Sequence, residues 1–147
     1  MLQRSFCSRG VRALLMLILL CCTAQMAVSQ KPASDVWKDS ATGLTWAAKD
    51  NGTSVSLGGA REYCTGLRTG GFSDWRLPTI DELMNLYDKS SKKAYRVKGP
   101  VELGDACVLS GSTNDSGEVW SFCFNYGGKT LVRASGHGSA GRALCVR

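Results

Sequence analysis

The 147 residues have room for one domain. Their formal charge of +6 comes from 18 basic and 12 acidic residues and includes Arg4, Arg9 and Arg12, so residues 30–147 keep 15 basic against 12 acidic, a charge of +3. That is an ordinary solvated surface and no ground for a nucleic-acid partner, and a single short apolar run excludes stable membrane insertion.

In chain order, residues 1–29 read as a signal peptide. The three arginines form a basic n-region, and Ala13 to Cys22 is an unbroken apolar run shorter than the ~20 residues of a spanning helix. Ala27-Val28-Ser29 then places small residues for cleavage before Gln30. Cys21 and Cys22 follow leucine and cysteine, where a lipoprotein signal wants a small residue, so lipidation is not expected. The product is expected to be secreted or periplasmic. Residues 30–35 form a polar lead, expected to be disordered, and residues 36–147 make the domain.

Val36-Trp37-Lys38-Asp39 and Leu44-Thr45-Trp46-Ala47 are strand-like runs around the turn Ser40 to Gly43, a candidate hairpin. Asp50-Asn51-Gly52 is a second turn. Ser56 can cap a helix from Leu57 to Leu67, with Leu57, Ala60, Cys64 and Leu67 on one face. Gly58 and Gly59 weaken its first turns by roughly 1 kcal/mol each relative to alanine. Thr69-Gly70-Gly71 ends it.

The stretch Trp75 to Leu83 organises the rest. Pro78 biases Leu77 towards extended geometry, so the next helix starts at Ile80. Thr79 can cap that helix by accepting from the N–H of Glu82, whose carboxylate reaches back to the N–H of Thr79. Pro78 and Leu83 hold the positions of a hydrophobic staple, and Asp81 and Glu82 sit at the positive end of the helix dipole. Ile80, Leu83, Met84 and Tyr87 fall on one face, and the helix is expected to run to about Lys89. Trp75 and Leu77 anchor the incoming segment. Trp75, Arg76, Leu77, Pro78, Thr79, Glu82 and Leu83 therefore read as a structural clamp rather than a site.

Beyond it the chain is loop-rich. Lys89, Lys92, Lys93, Arg96 and Lys98 make a basic run, read as cations near a helix C-terminus, with a patch for acidic glycans or an anionic cell surface as the rival. Cys107 to Ser112 is a short strand, and Thr113 to Gly117 a turn. Glu118 to Tyr126 is the clearest strand, with Trp120, Phe122, Phe124 and Tyr126 on one face and Val119, Ser121, Cys123 and Asn125 on the other. Gly127-Gly128 predicts a tight primed turn into Lys129 to Arg133. Ser135 to Gly141 is a small-residue loop around His137, and Ala143 to Arg147 a final strand.

Few residues carry chemistry. His137 has no acid or nucleophile near it in sequence and reads as a surface histidine. Asp50, Asn51, Asn114, Asp115 and Glu118 offer oxygens, but without the signatures of calcium-dependent sugar-binding lectins they are better explained by turns. No serine sits in a Gly-x-Ser-x-Gly setting. Cys64, Cys107, Cys123 and Cys145 remain after signal removal, an even number that reads as two disulfides in one of three pairings. None has the CxxC spacing of a zinc or redox site. No metal and no cofactor is expected. The aromatics Trp120, Phe122 and Tyr126, with Phe124, read first as core and second as a stacking platform for a ligand.

Thr42-Gly43-Leu44-Thr45-Trp46, Ala60 with Tyr63-Cys64, the block from Gly71 through Trp75-Arg76-Leu77-Pro78-Thr79 to Leu83, and Cys145-Val146-Arg147 together resemble the bacterial DUF1566 family. That family is also called the Lcl C-terminal domain. The resemblance runs from about Val36 to the terminus and implies a C-type-lectin-like α+β fold, two helices with small antiparallel sheets and long loops. It implies no agreed catalytic residues, hence a non-catalytic binding or adhesion module with an unknown extracellular glycan or protein as partner. The rival is an enzyme of the related formylglycine-generating fold, which would need a reactive thiol at Cys123. The sequons at Asn51 and Asn114 are incidental in a bacterial setting. Two departures stand out: no collagen-like repeat precedes the domain to supply a trimerising stalk, and Leu57-Gly58-Gly59 replaces the family's usual aromatic. In such a fold the first helix packs beside the strand that returns the terminus, which pairs Cys64 with Cys145 and leaves Cys107 for Cys123.

The mature chain is expected to begin at or near Gln30. The intact mass of the exported protein checks this, and a diacylglycerol-modified N-terminal cysteine would overturn it.

Overall fold

The computed structural model describes residues 34–133 and 141–147. The signal segment and His137 lie outside the described residues. The described residues form an α+β fold, with two α-helices beside two small antiparallel sheets.

The first hairpin pairs β1 (Val36–Lys38) with β2 (Thr45–Ala47), Trp37 opposite Trp46. Asp39 shapes its turn: the buried carboxylate accepts from the Ala41 N–H and the Thr42 hydroxyl, each at 3.0 Å. Helix α1 (Leu57–Gly66) starts on Ser56, whose hydroxyl accepts from the Gly59 N–H, and buries Leu57, Ala60 and Cys64. It stops one residue short of the expected Leu67, which is already extended.

Helix α2 (Ile80–Leu86) is shorter than its apolar spacing predicts, ending at Leu86 rather than near Lys89. The reason is tertiary. Tyr87 turns extended and bridges to Val97, while the Asp88 N–H bonds the Arg96 carbonyl at 2.8 Å. The buried face is Ile80, Leu83 and Leu86, and Met84, expected inside, is 45% exposed.

The second sheet runs β3 (Cys107–Thr113), β4 (Val119–Cys123), β5 (Gly128–Val132) in that order. β4 ends at Cys123 instead of continuing to Tyr126. Its pairing with Gly128 leaves Phe124 to Gly127 as a four-residue turn, so the expected two-residue Gly127-Gly128 turn does not form. Gly127 takes a positive φ of 74° there, and the Tyr87 ring lies against it so closely that any side chain would collide.

The expected terminal strand is present as an extended segment that changes partners along its length. Its backbone bonds Thr45 and Ala47 on one side and Arg76 on the other, while Ala143 meets Asn51 and Arg142 meets β3. No single partner lasts long enough for a continuous ladder, so only isolated bridges result. Its side chains alternate between two clusters. Leu144 and Val146 join Trp46, Val108, Phe122 and the α2 residues, and Ala143 and Cys145 join Ala47, Leu109, Val119, Trp75 and the α1 residues. Adjacent residues of β2 and β3 divide the same way, which puts the two cores on opposite faces of one layer of extended chain.

Both disulfides are formed, Cys64–Cys145 across 81 residues and Cys107–Cys123 across 16. On the chain-entropy account the longer loop contributes ~4–5 kcal/mol and the shorter ~3 kcal/mol. Cys64→Ser with Cys145→Ser should therefore lower the denaturant midpoint more than Cys107→Ser with Cys123→Ser. Equal midpoints in urea melts would contradict the ranking.

Candidate functional site

Three places concentrate polar chemistry, and the clamp is the best ordered. Thr79 accepts from the Glu82 N–H at 3.2 Å and Glu82 Oε2 accepts from the Thr79 N–H at 2.8 Å, a complete capping box. The structure adds Arg76, which sequence reasoning left without a partner. Its guanidinium meets both carboxylate oxygens of Glu82, at 2.8 and 2.7 Å. The side chain can do this because the Arg76 backbone is bonded both ways to Val146, which fixes its direction. Arg76 pulls the Glu82 carboxyl below its ordinary value, against the opposing effect of partial burial. Glu82 in turn raises the Arg76 guanidinium. Behind the clamp Trp75, Leu77, Pro78 and Leu83 are buried, with the Trp75 indole N–H on the Thr69 carbonyl. The β3 bulge docks on its far side, with the Ser112 hydroxyl accepting from the Ile80 N–H and the Gly111 N–H bonding the Pro78 carbonyl. Arg76, Thr79 and Glu82 are thus engaged with one another.

A second polar cluster ties loops together. Asp50 Oδ1 accepts from the Gly52 N–H and faces Arg142 Nη1 at 3.4 Å, and Oδ2 accepts from the Gly104 N–H. Asn51 takes the Ala143 N–H on its side chain. These are turn and tie contacts, and among the described residues no group of three or more histidine, cysteine or acidic side chains could hold a metal.

The aromatics are not assembled into a platform. Phe122 is 2% exposed and Phe124 fully buried, stacked edge-to-face in the core with centroids 4.9 Å apart. Trp120 is half-buried and carries the Lys129 ammonium 4.8 Å from its ring centre. Tyr126, in the turn, is 60% exposed. β4 keeps the alternation read from sequence, with Trp120 and Phe122 towards α2's cluster and Val119 towards α1's, but both of its faces are covered and it stops at Cys123.

Among the described residues a shallow cleft of about 340 Å³ lies in the loop after α2. Val97 and Val101 form its floor and belong to the core. Tyr95, Ala94 and Leu103 add apolar wall, and Lys93 and Glu102 supply the charges. Gly99 makes the turn between the walls at φ 58°, packed under the Trp37 ring with no space for a side chain. Lys93 is drawn inward, donating to the carbonyls of Gly99 and of Val101 (2.9 Å), and the loss of water lowers its pKa. Glu102 is pinned through its backbone to Ala48 and reaches Lys49 at 3.3 Å. Of the basic run, Lys93 is thus a strut and Arg96 donates to the Tyr87 hydroxyl at 3.3 Å. Sequence reasoning puts ligand contacts in the loops between Lys89 and Gly117 and between Gly127 and Gly141 but singles out neither Tyr95 nor Glu102, although Gly99-Pro100 between two valines marks the turn that brings them together.

The sequence profile of the Lcl C-terminal domain matches residues 35–147. The chain belongs to this family. No curated protein and no solved structure matches it.

Because Glu82 has a depressed pKa, its stabilising contribution is present above the ordinary value of 4.5 and is lost as pH falls through the lower folded value. Glu82→Gln should therefore lower stability at pH 7 and flatten the acid limb of the stability profile; a limb as steep as wild type would sink the assignment. Thr79→Ala should cost ~1 kcal/mol and Trp75→Ala ~3–5 kcal/mol, read from denaturant melts.

Proposed function

We propose that this member of the Lcl C-terminal domain family is an exported, non-catalytic binding or adhesion module with a C-type-lectin-like arrangement. Its ligand, a glycan or a protein segment from outside the cell, is taken in the cleft between Lys93 and Leu103. The observation that carries this reading is the cleft itself: an apolar floor, one aromatic wall, the drawn-in Lys93 and the exposed Glu102 carboxylate beside Lys49. Binding sites commonly combine those parts at volumes of roughly 300–1,000 Å³. The chemistry suits a ligand with both a flat apolar face and hydroxyl or amide groups. Among the described residues no helix is long and apolar enough to cross a membrane, and the oxidised cysteines fit an oxidising compartment. The thiol enzyme has no free sulfur to use among the described residues, since Cys123 is bonded to Cys107.

Residues 30–147 applied to glycan and protein arrays should give a binder whose affinity drops about tenfold or more in Tyr95→Ala, the scale of losing one aromatic anchor. Glu102→Gln should weaken it as well, with thermal melts unchanged. A binder lost in Trp120→Ala or Tyr126→Ala but indifferent to Tyr95→Ala would move the site to the β4–β5 hairpin and overturn the assignment.

A further inference from the structure

The two disulfides stand in different surroundings. Cys64 and Cys145 are both wholly buried, in the cluster that also holds Trp75 and Leu77. No backbone hydrogen bond joins α1 to the closing segment among the described residues, so this bond is their covalent tie. Cys107 and Cys123 instead sit directly opposite each other in neighbouring antiparallel strands. Cys123 is buried, but Cys107 is only half-buried, the most exposed of the four bonded cysteines and the side from which a solvent thiolate would approach.

The second bond also duplicates contacts that hold without it. Val108 pairs with Phe122 and Leu109 with Ser121 next to it in the ladder, and β4 keeps five paired residues on β5. The Ser121 hydroxyl donates to the Val108 carbonyl at 3.0 Å, and the Phe124 N–H bonds the Ala106 carbonyl at 2.7 Å just beyond the cysteines. The two cysteines are only 16 positions apart in sequence, against 81 for the other bond, so less chain freedom is released when it opens.

We propose that Cys107–Cys123 is a reducible clasp, opened by a small thiol or dithiol while the domain stays folded, and that Cys64–Cys145 is the permanent structural bond. The reductant's thiolate attacks Cys107 Sγ, and the disulfide breaks with its electron pair leaving on Cys123 Sγ, which takes up a proton. A second thiolate then attacks the reductant's sulfur in the mixed disulfide, releasing Cys107, which is protonated, and the oxidised reductant. Two electrons and two protons pass to the protein. What changes is the turn. The Cys123 carbonyl accepts from the Gly127 N–H at 2.9 Å, so Cys123 is the anchor of the Phe124 to Gly127 turn that carries the exposed Tyr126. Opening the clasp loosens that anchor and leaves both cores intact.

The test is native-state reduction of the oxidised, secreted protein in a dithiothreitol series, trapped with iodoacetamide and mapped by peptide mass. Cys107 and Cys123 should become alkylated at reductant concentrations at least tenfold below those needed for Cys64 and Cys145. Far-ultraviolet circular dichroism should be unchanged at that stage, with faster amide exchange over residues 124–127. Reduction of Cys64–Cys145 first, or of both bonds in one step with loss of the spectrum, would overturn the proposal. As a second arm, Cys107→Ser with Cys123→Ser should retain a cooperative thermal transition; a variant without one also overturns it.

Discussion

The structure depends on one backbone constraint: the last few residues are held in extended form between segments from distant parts of the chain. Thr45 and Ala47 bond it on one side and Arg76 on the other, while Cys145 is tied to α1. An extended segment sends alternate side chains to opposite faces. Placed in the middle, this one supplies Leu144 and Val146 to one core and Ala143 and Cys145 to the other. The two clusters thus share a common wall. The hairpin β1–β2, the clamp and the bulged strand β3 all owe their positions to it.

The clamp shows how a local motif is put to tertiary use. A capping box satisfies the N–H groups at the helix start, which any Thr-x-x-Glu sequence can do. Here the same carboxylate also receives a bidentate guanidinium from Arg76, whose backbone belongs to the central bridge. Helix α2 is thereby attached to the layer that separates the two cores. The pair is half-exposed, with side-chain exposures of 46% and 19%, so its worth lies in fixing geometry more than in Coulomb energy.

The cleft exists because α2 ends early. Had the helix run on to Lys89, the segment through Val97 could not have folded back to bridge Tyr87, and Lys93, Tyr95 and Glu102 would not share a wall. The pairing of Tyr87 with Val97 overrides a helical spacing that was itself correct as far as Leu83. Met84 illustrates the same competition. It satisfies the period from Ile80, yet Leu86 takes the core position once the helix axis is set by the clamp.

What the sequence by itself determined were the features whose causes are local. Ser56 and Thr79 fix both helix starts through caps within three residues, Asp39 and Gly43 fix the first turn, and Asp50 with Gly52 the second. The family resemblance carried further, to the two disulfide pairings, because the recurring pattern preserves contacts that spacing alone leaves as three alternatives. Tertiary structure alone decided the rest: where α2 and β4 end, that Phe122 faces inward while Tyr126 stands in water, that Arg76 serves Glu82, and that Tyr95 and Glu102 line one cleft. Alternation and helical period report how many faces a segment has, not how many are covered. A strand buried on both sides, or a loop folded back by a partner far along the chain, takes its state from neighbours that the local sequence does not contain.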